Sequence, residues 1–569
     1  MKTVRISLAQ VNSVVGDIAG NSQKIISYIK AAKTIQADIV VFPELALSGY
    51  PPEDLLLKPH FIKENNLYLK RILKASEKIV TILGVPYAYK HKLFNAAAII
   101  YNKRLLGFCK KIQLPNYGVF DELRYFDSGE AACILAFKTG LRVGVNICED
   151  IWHAPGLAQT QSLKGQSSII INISSSPYHA NKIHLRQRLL AKRAKETRNF
   201  IAYCNLVGGQ DELIFDGASM VIDPEGKVVA RAKQFCEDLL TVDIVTSKRT
   251  RKFYSRVSTS LRLERIRIAH KITRKKIDIL NRIEKIHKPL AEIYDALALG
   301  LKDYVAKNGF KRVILGLSGG IDSALVAAIS TDAIGKNNVV AILMPSMFSS
   351  KETQNDAKRL AANLGIKLWV IPINNIYKQY LMTLREPFGS RDVDITEENL
   401  QARIRGNLLM AFSNKFGYLV VTTGNKSELS VGYCTLYGDT AGGFALIKDV
   451  PKTLVYKLAR FKNEKEAKEI IPKSLFKRAP SAELKKNQRD QDTLPPYSVL
   501  DSIVDAYVQK DKSVAAMLKA KLSKKAIRGV VALIDKNEYK RRQYALGVKI
   551  TPKAFGRDRR MPITNKFTQ

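Results

Sequence analysis

The hydrophobic positions of the first 245 residues alternate between strand-like and helix-like stretches. Short runs rich in Val and Ile, each bounded by turn residues, predict buried strands. The predicted strands are Arg5–Val11, Ile39–Phe42, Val80–Gly84, Ala96–Tyr101, Arg142–Ile147 and Ser168–Ile173. The predicted helices are Asn21–Lys33, Lys182–Asn199 and parts of Asp54–Lys78. A turn signal, Asp223-Pro224-Glu225-Gly226, predicts a hairpin. This half of the chain therefore has the pattern of an α/β sandwich.

From residue 288 onward a second periodic series begins. The predicted helices are Leu290–Asn308, Ala324–Asp332 and Lys351–Leu364, and the predicted strands are Arg312–Leu317, Val339–Met344, Leu368–Ile373 and Tyr418–Val421. A β-α-β-α-β order of this kind predicts a parallel, doubly wound sheet with helices on both faces.

The segment between the two series has a different composition. Residues 248–288 contain fifteen Lys or Arg and three Asp or Glu. We interpret this segment as a basic linker that passes into a helix near Arg262–Lys285, with Ile266, Ile272, Ile277 and Leu280 docking on a neighbouring domain. The predicted domains are therefore 1–245, a linker and helix over 246–287, and 288–569.

Composition narrows the class of protein. With 569 residues, 46% of them hydrophobic, the chain can bury two cores. No run of 18 apolar residues occurs, and the N-terminus has no continuous apolar segment, so we predict neither a membrane span nor a secretory signal. Six cysteines without paired spacing predict a reducing cytoplasm rather than a disulfide framework, and we interpret the five other than Cys148 as packed thiols: Cys109, Cys133, Cys204, Cys236 and Cys434.

Net charge is the unusual feature of the composition. Lys and Arg number 92 against 52 Asp and Glu, giving +40. Such an excess attracts polyanions, including nucleic acid. Because the basic residues are spread through both halves, we interpret most of the charge as solvated surface and predict no specific nucleic-acid partner.

The first candidate site contains a cysteine at the end of an apolar strand. Cys148 directly follows the predicted strand Arg142–Ile147, and Glu44 and Lys111 also come just after apolar runs. A carboxylate base, an ammonium group near the oxyanion and a thiolate nucleophile together could perform acyl transfer. Each residue alone is a weak signal, since a lone cysteine after a strand is usually a packed core thiol.

Three segments containing these residues resemble a known family. The segments are Phe42-Pro43-Glu44, Lys111 with Leu114–Glu122, and Asn146–Trp152. They resemble the nitrilase, or carbon–nitrogen hydrolase, superfamily, and in particular the glutaminase module of glutamine-dependent NAD synthetases. The resemblance implies a four-layer α-β-β-α sandwich and a Glu44–Lys111–Cys148 triad. It also implies that Tyr117, Ser176 and Lys182 contact glutamine and that Glu122 orients Lys111.

The second candidate site is a loop rich in Ser and Gly between a predicted strand and a predicted helix. Its residues are Gly316, Leu317, Ser318, Gly319, Gly320, Ile321, Asp322 and Ser323. Glycines let the backbone wrap an anion, and the following helix N-terminus supplies unpaired N–H groups. The chain has no Gly-x-x-x-x-Gly-Lys-[Ser/Thr] motif, so this is not a Walker A loop. It resembles the pyrophosphate-binding loop of N-type ATP pyrophosphatases, which attack the α-phosphate.

Further segments narrow this resemblance to the NAD synthetase domain, over about residues 288–565. They are Glu397–Gly406, Thr422–Glu428, Gly432–Asp439, Lys448–Val450, Pro480–Leu484, Gln488–Asp492 and Glu538–Gln543. The resemblance implies a Rossmann-like doubly wound domain that binds ATP through the loop and Thr423. It implies that Asn399, Glu428 and Lys540 contact deamido-NAD. Asp322 and Glu428 are oxygen ligands expected at strand ends, so we predict that they bind Mg²⁺.

The two modules together predict an enzyme that makes an amide at the expense of glutamine and ATP. The predicted substrates are deamido-NAD, L-glutamine and ATP, and the resemblance implies a homo-oligomer with dimers of the synthetase domain. Two alternatives stay open: an amidotransferase with another carboxylate acceptor, and an ATP pyrophosphatase that modifies tRNA. The second should carry an RNA-binding module, and we find no aromatic RNP-type strand or zinc knuckle in the sequence.

Overall fold

A computed structural model describes residues 2–246, 261–272, 276–519 and 523–567. The chain forms two compact units. The first is Met1–Gln210 with Ile214–His287, and the second is Asp211–Leu213 with Lys288–Gln569. None of the helices in the described ranges has the length and apolarity needed to cross a bilayer.

The first unit is built mainly of strands. Its strands are β1 (Lys2–Gln10), β2 (Ile39–Val41), β3 (Val80–Tyr89), β4 (Lys92–Tyr101), β5 (Arg104–Lys110), β6 (Ala131–Phe137), β7 (Arg142–Ile147), β8 (Ile169–Ser174), β9 (Phe200–Asn205), β10 (Val207–Gln210), β11 (Leu213–Asp216), β12 (Met220–Ile222), β13 (Val228–Arg231), β14 (Asp238–Thr246) and β15 (Arg262–Ile268). Its helices are α1 (Ile18–Thr34), α2 (Pro59–Ala75), α3 (Leu157–Leu163) and α4 (Lys182–Thr197).

These strands form two large sheets that share one core. One sheet has the order β14-β1-β2-β3-β4-β5, and the other has the order β13-β12-β9-β8-β7-β6-β15. Apolar side chains of both sheets, such as Ile6 and Ile171, form one buried cluster. Helices α1 and α2 cover the first sheet, and α3 and α4 cover the second. The predicted four-layer α-β-β-α sandwich is confirmed. Strand β8 is buried along its whole length. Because a parallel strand of this kind is covered on both faces, its sequence is almost continuously apolar.

The predicted helix over Arg262–Lys285 is wrong. Arg262–Ile268 is the edge strand β15, paired in parallel with β6, and the described residues 276–285 contain no helix. Ile266 and Ile268 are buried in the first unit, whereas Ile277 and Leu280 are exposed. The apolar side chains follow the two-residue period of a strand at 266 and 268, and the partner strand lies more than a hundred residues away in the sequence.

Two of the five cysteines that we interpreted as packed thiols are bonded to each other. Cys109 on β5 and Cys133 on β6 form a disulfide. The bond joins the two sheets across the core of the sandwich. Nothing in the spacing of the cysteines predicts this pair, because the two strands are brought face to face only by sheet packing.

The second unit contains a five-stranded parallel sheet. Its strands are β16 (Val313–Gly316), β17 (Val339–Leu343), β18 (Lys367–Val370), β19 (Leu419–Thr422) and β20 (Phe444–Ala445), in the order β18-β17-β16-β19-β20. Its helices are α5 (Pro289–Lys307), α6 (Ile321–Ile334), α7 (Lys351–Leu364), α8 (Asn374–Phe388), α9 (Ile395–Phe416), α10 (Lys426–Val431), α11 (Lys452–Glu466), α12 (Tyr497–Val504), α13 (Val514–Leu518), α14 (Lys524–Lys536) and α15 (Glu538–Arg542).

This strand order confirms the predicted doubly wound fold. All neighbouring strands are parallel, and the order reverses between β16 and β19. Ligands of such sheets bind at the carboxyl ends of the strands beside this switch point. Local sequence sets the helix ends: Asp394 and Glu397 form a capping box at the start of α9, and Gly417, with a φ of 67°, ends it.

Candidate active sites

The first candidate site lies at the strand ends of the sandwich. Glu44 follows β2, Lys111 follows β5, and Cys148 begins a short 3₁₀ turn after β7. All three side chains are buried. Cys148 has a φ of 43°, in the left-handed region, so the backbone turns sharply at the thiol. The structure thus brings the three predicted catalytic residues into one buried cluster.

The Glu44 carboxylate accepts hydrogen bonds from three donors. Lys111 Nζ lies 2.6 Å and Asn95 Nδ2 lies 2.7 Å from its Oε1, and the backbone N–H of Ser175 donates to Oε2 at 2.9 Å. The Ser175 hydroxyl also donates to the Glu44 carbonyl, at 2.8 Å. These contacts hold the carboxylate in one orientation, as a general base requires.

Lys111 is an ammonium group shared by two carboxylates. Its Nζ lies 2.8 Å from Glu122 Oε1, and Tyr50 donates to the same Glu122 oxygen at 3.2 Å. Burial alone would lower the pKa of Lys111, but Glu122 and Glu44 outweigh it and raise this pKa well above its ordinary value. Lys111 is therefore positively charged beside the thiol, which suits it to stabilise an oxyanion.

Neighbouring groups have opposing effects on the pKa of the Cys148 thiol. Burial, and then the nearby Glu44 carboxylate, raise the pKa of this thiol, while Lys111 and a hydrogen bond from Ser174 lower it. Tyr203 in turn donates to Ser174 Oγ at 3.0 Å. The sequence analysis missed Ser174 and Tyr203. The register of β7 and β8 pairs Ile147 with Ile173, which brings Cys148, just after β7, close to Ser174 at the end of β8.

The three predicted glutamine contacts have different environments. Tyr117 is exposed, and its hydroxyl donates to the Glu149 carboxylate at 3.0 Å. Ser176 is buried, and its N–H donates to Asn205 Oδ1 at 3.0 Å. Lys182 begins α4, and its Nζ donates to the Pro177 carbonyl at 2.6 Å. Glu149, next to the thiol, is a further polar group that sequence reasoning did not single out.

We expect the glutaminase rate to fall as the pH falls through about 7. Burial raises the pKa of Glu122 to about 7, with Lys111 opposing, so this carboxylate is protonated below that pH and Lys111 loses an anionic partner. Since the folded-state pKa is above the ordinary value, protonation of Glu122 favours the folded state, and the loss of rate is not unfolding.

The variant Glu122→Gln tests this assignment. We expect it to lower kcat/KM for glutamine about tenfold at high pH. We also expect the variant to lose the fall in rate that the wild type shows as the pH drops through about 7. The exposed Glu130→Gln serves as the matched control and should keep the wild-type profile. If the fall in rate near pH 7 persists unchanged in Glu122→Gln, the group that titrates there is not Glu122.

The second candidate site is a cavity of about 660 Å³ in the second unit. Every residue that we predicted to contact ATP or the dinucleotide lines it. These residues are Gly316, Leu317, Ser318, Gly319, Gly320, Ile321, Asp322, Ser323, Asn399, Thr423, Glu428 and Lys540. The loop follows β16 and Thr423 follows β19, so the cavity lies at the switch point of the sheet.

The loop has the geometry of an anion-binding turn. Gly319 has a φ of 81°, and a Cβ there would collide with the carbonyl oxygen of Thr353, so only glycine fits. The Gly320 N–H donates to Ser318 Oγ at 3.2 Å, and Ser318 and Ser323 hydroxyls lie 3.2 Å apart. Helix α6 begins directly in this loop, so its partial positive charge lies at the cavity.

The two predicted metal ligands converge on a lysine that the sequence analysis missed. Lys452 Nζ, at the start of α11, lies 2.5 Å from Asp322 Oδ2 and 3.2 Å from Glu428 Oε1. Asn425 Nδ2 donates to the other Asp322 oxygen at 2.9 Å. Burial would lower the pKa of Lys452, but the two carboxylates raise it. Lys452 comes 130 residues after Asp322, and no local pattern connects them.

Asp322 and Glu428 are the two carboxylates of this cluster that could contribute oxygen ligands, and both are paired with Lys452. Burial, with a smaller contribution from the Asp322 and Asp490 carboxylates, raises the pKa of Glu428 to about 7 against the opposing effect of Lys452. Within the described ranges, no group of three or more His, Cys, Asp or Glu side chains forms a complete metal site. Mg²⁺ is usually bound by one or two carboxylates together with substrate phosphates, so Asp322 and Glu428 suit it.

Asn399 and Lys540 both line the cavity. They are far apart in the sequence, but both contact the same short segment. Thr435 donates to Asn399 Oδ1 at 2.7 Å. Lys540 Nζ donates to the carbonyls of Gly432 and Cys434, at 2.8 and 2.9 Å. The segment 432–435 thus contacts both residues predicted to bind the dinucleotide.

Comparison with known proteins assigns the two parts of the chain to two families. Residues 5–252 match the carbon–nitrogen hydrolase family, and residues 293–544 match the NAD synthase family. The glutamine-dependent NAD(+) synthetase of Thermotoga maritima is 48% identical over 100% of both chains. The chain belongs to the glutamine-dependent NAD(+) synthetase family. The enzyme of that name from Aquifex aeolicus is also 48% identical, over 99% of this chain and 100% of its own.

One solved structure of this family resembles the present one over its whole length. It is the glutamine-dependent NAD+ synthetase of Acinetobacter baumannii in complex with adenosine diphosphate. The two chains are 40% identical, 99% of each is covered, and the TM-score is 0.75. Family membership therefore extends across both units.

Proposed function

We propose that this chain forms NAD from deamido-NAD, ATP and glutamine. The observation that carries the proposal is the single cavity lined by every residue expected to contact ATP and the dinucleotide. The buried Glu44–Lys111–Cys148 cluster supports glutamine as the nitrogen donor. The adenine nucleotide bound to the Acinetobacter baumannii relative supports ATP as the co-substrate.

The first reaction releases ammonia from glutamine. Glu44 takes the proton of the Cys148 thiol, and the thiolate attacks the carbon of the side-chain amide. Lys111 lies close enough to stabilise the negative charge on the carbonyl oxygen. Glu44 returns the thiol proton to the amide nitrogen, and ammonia leaves as the thioester forms. Glu44 then takes a proton from the water that attacks the thioester, which releases glutamate and returns a proton to the Cys148 sulfur. Tyr117, Ser176 and Lys182 would hold the amino acid.

The second reaction uses that ammonia to form an amide. The nicotinate carboxylate of deamido-NAD attacks the α-phosphorus of ATP, which gives an acyl-adenylate and pyrophosphate. Ammonia attacks the acyl carbon and AMP leaves. The loop N–H groups and helix α6 would hold the phosphates, with Thr423 beside them, while Asn399, Glu428 and Lys540 would hold the dinucleotide. Mg²⁺ held by Asp322 and Glu428 would supply charge stabilisation for pyrophosphate.

A direct assay distinguishes this proposal from the alternatives. The full chain is supplied with ATP, Mg²⁺, deamido-NAD and either glutamine or ammonium, and pyrophosphate and NAD are measured together. We expect both products in equal amounts with either nitrogen source. Pyrophosphate release that requires bulk tRNA or another carboxylate, and not deamido-NAD, would overturn the proposal. Assembly into a homo-oligomer through synthetase dimers remains a prediction from the family resemblance.

We propose further that the basic segment is not a nucleic-acid site. Lys276 contacts the Asp38 carboxylate, which His270 also contacts, and Arg282 lies 2.5 Å from Asp238, so Lys276 and Arg282 are already paired. Most of the remaining cations, with Phe253 and Tyr254, lie outside the described residues. We expect tRNA binding to be weak and largely lost at ~150 mM salt.

A salt titration of tRNA binding by fluorescence anisotropy checks this expectation. The comparison variant carries Arg274→Gln, Lys275→Gln and Lys276→Gln, of which positions 274 and 275 lie outside the described residues. Selective, sub-micromolar binding at ~150 mM salt that disappears in this variant would contradict the proposal and favour an RNA substrate.

A further inference from the structure

Arg405 is a cavity-lining arginine without a carboxylate partner. It lies on α9, and its Nε donates to the carbonyl of Met344 at 3.0 Å. Across the described part of the chain, no Asp or Glu is within ion-pair distance of its guanidinium group. The rest of the guanidinium is therefore available to a ligand in the cavity, which Arg405 lines.

Helix α9, which carries Arg405, packs against β16, the strand that leads into the phosphate loop. Leu409 follows Arg405 by one helical turn and lies on the same face of α9. A Cβ placed on Gly316 would lie 3.5 Å from Met344 and 3.6 Å from Leu409. Arg405 therefore contacts the backbone at the end of β17, on a helix that packs against β16, and it lines the same cavity as the phosphate loop.

This environment disfavours an unpaired positive charge. Burial lowers the pKa of Arg405 to about 10, and Glu483, elsewhere on the cavity lining, opposes only part of the effect. A desolvated cation is costly unless an anion or a set of acceptors compensates it. The single carbonyl of Met344 leaves most of the guanidinium donors to be satisfied by what the cavity binds.

We propose that Arg405 binds phosphate oxygens of the ATP held by the loop. The inference rests on the ATP site of the proposed function. A guanidinium group presents paired donors that match phosphate oxygens, and the phosphates bring the negative charge that the site around Arg405 lacks. Deamido-NAD also carries phosphates, but Arg405 contacts Met344 at the end of β17, the strand paired with the one that enters the phosphate loop, so we assign it to ATP.

The test compares Arg405→Gln and Arg405→Lys with Arg385→Gln, an exposed arginine of α8 that does not line the cavity. Binding of Mg²⁺-ATP, pyrophosphate, adenosine and deamido-NAD to the full chain is measured by calorimetry, and thermal unfolding is followed with and without Mg²⁺-ATP. We expect Arg405→Gln to weaken ATP binding about 10- to 100-fold and to lose most of the ATP-induced rise in Tm. Arg405→Lys should lose less of the ATP affinity. Both variants should bind adenosine and deamido-NAD as tightly as the wild type does.

The same measurements separate the role in binding from a purely structural one. A ligand-free Tm that is unchanged or raised in Arg405→Gln is expected, since the variant removes a half-buried charge that has no carboxylate partner. ATP binding within twofold of wild type, or an equal loss for adenosine, or a loss confined to deamido-NAD, would overturn the proposal. If Arg405→Gln does not fold, Arg405→Lys decides by the same criteria. Failure of the wild type to bind ATP would instead contradict the proposed function.

Discussion

Cys148→Ala is expected to abolish NAD formation from glutamine and to leave NAD formation from ammonium at the wild-type rate. The thiolate serves only the thioester step, and removal of a nucleophile lowers turnover by at least about 10³-fold. The two nitrogen sources are compared in the same preparation, so ammonium-driven synthesis reports that the second unit is folded.

Cys204→Ala is the matched control for this variant. Cys204 is also a buried thiol in the sandwich, but its Sγ contacts the Val41 carbonyl at 3.4 Å rather than the Glu44–Lys111 pair. We expect glutamine-driven synthesis to persist in it. An equal loss of ammonium-driven and glutamine-driven synthesis in folded Cys148→Ala would contradict a separate amidase site.

Asp322→Asn is expected to damage synthesis from both nitrogen sources equally. Adenylation precedes the attack of ammonia, and the Asp322 carboxylate joins the phosphate loop to Lys452 and suits Mg²⁺. We expect Mg²⁺-dependent pyrophosphate release to fall about 10²- to 10³-fold, while glutamine hydrolysis measured by itself continues.

Asp332→Asn provides the control on the same helix. Asp332 lies in α6 but pairs with Lys462 at 2.8 Å and does not line the cavity. Its variant should retain pyrophosphate release even if its stability falls. Normal release from Asp322→Asn over a full Mg²⁺ titration would remove Asp322 from the metal site.

Several elements of both units could be predicted from local patterns. The strand over Arg142–Ile147 and the helix over Lys351–Leu364 have the predicted bounds, and the turn at 223–226 joins the antiparallel strands β12 and β13. Hydrophobic period, glycine and capping residues act within a few positions, so sequence alone reports them well. The loop at 316–323 is similarly local, because its glycines and the helix that follows are adjacent.

Contacts between distant segments were decided only by the tertiary structure. The sequence by itself determined the candidate residues Glu44, Lys111, Cys148 and Asp322, but not the groups that hold them. Lys452 reaches Asp322 only because α11 and α6 meet beside the sheet. Strand β15, the Cys109–Cys133 disulfide and the exposure of Leu280 likewise follow from which surfaces pack together. Such pairings depend on the free energy of the whole fold, and no short stretch of sequence encodes that energy.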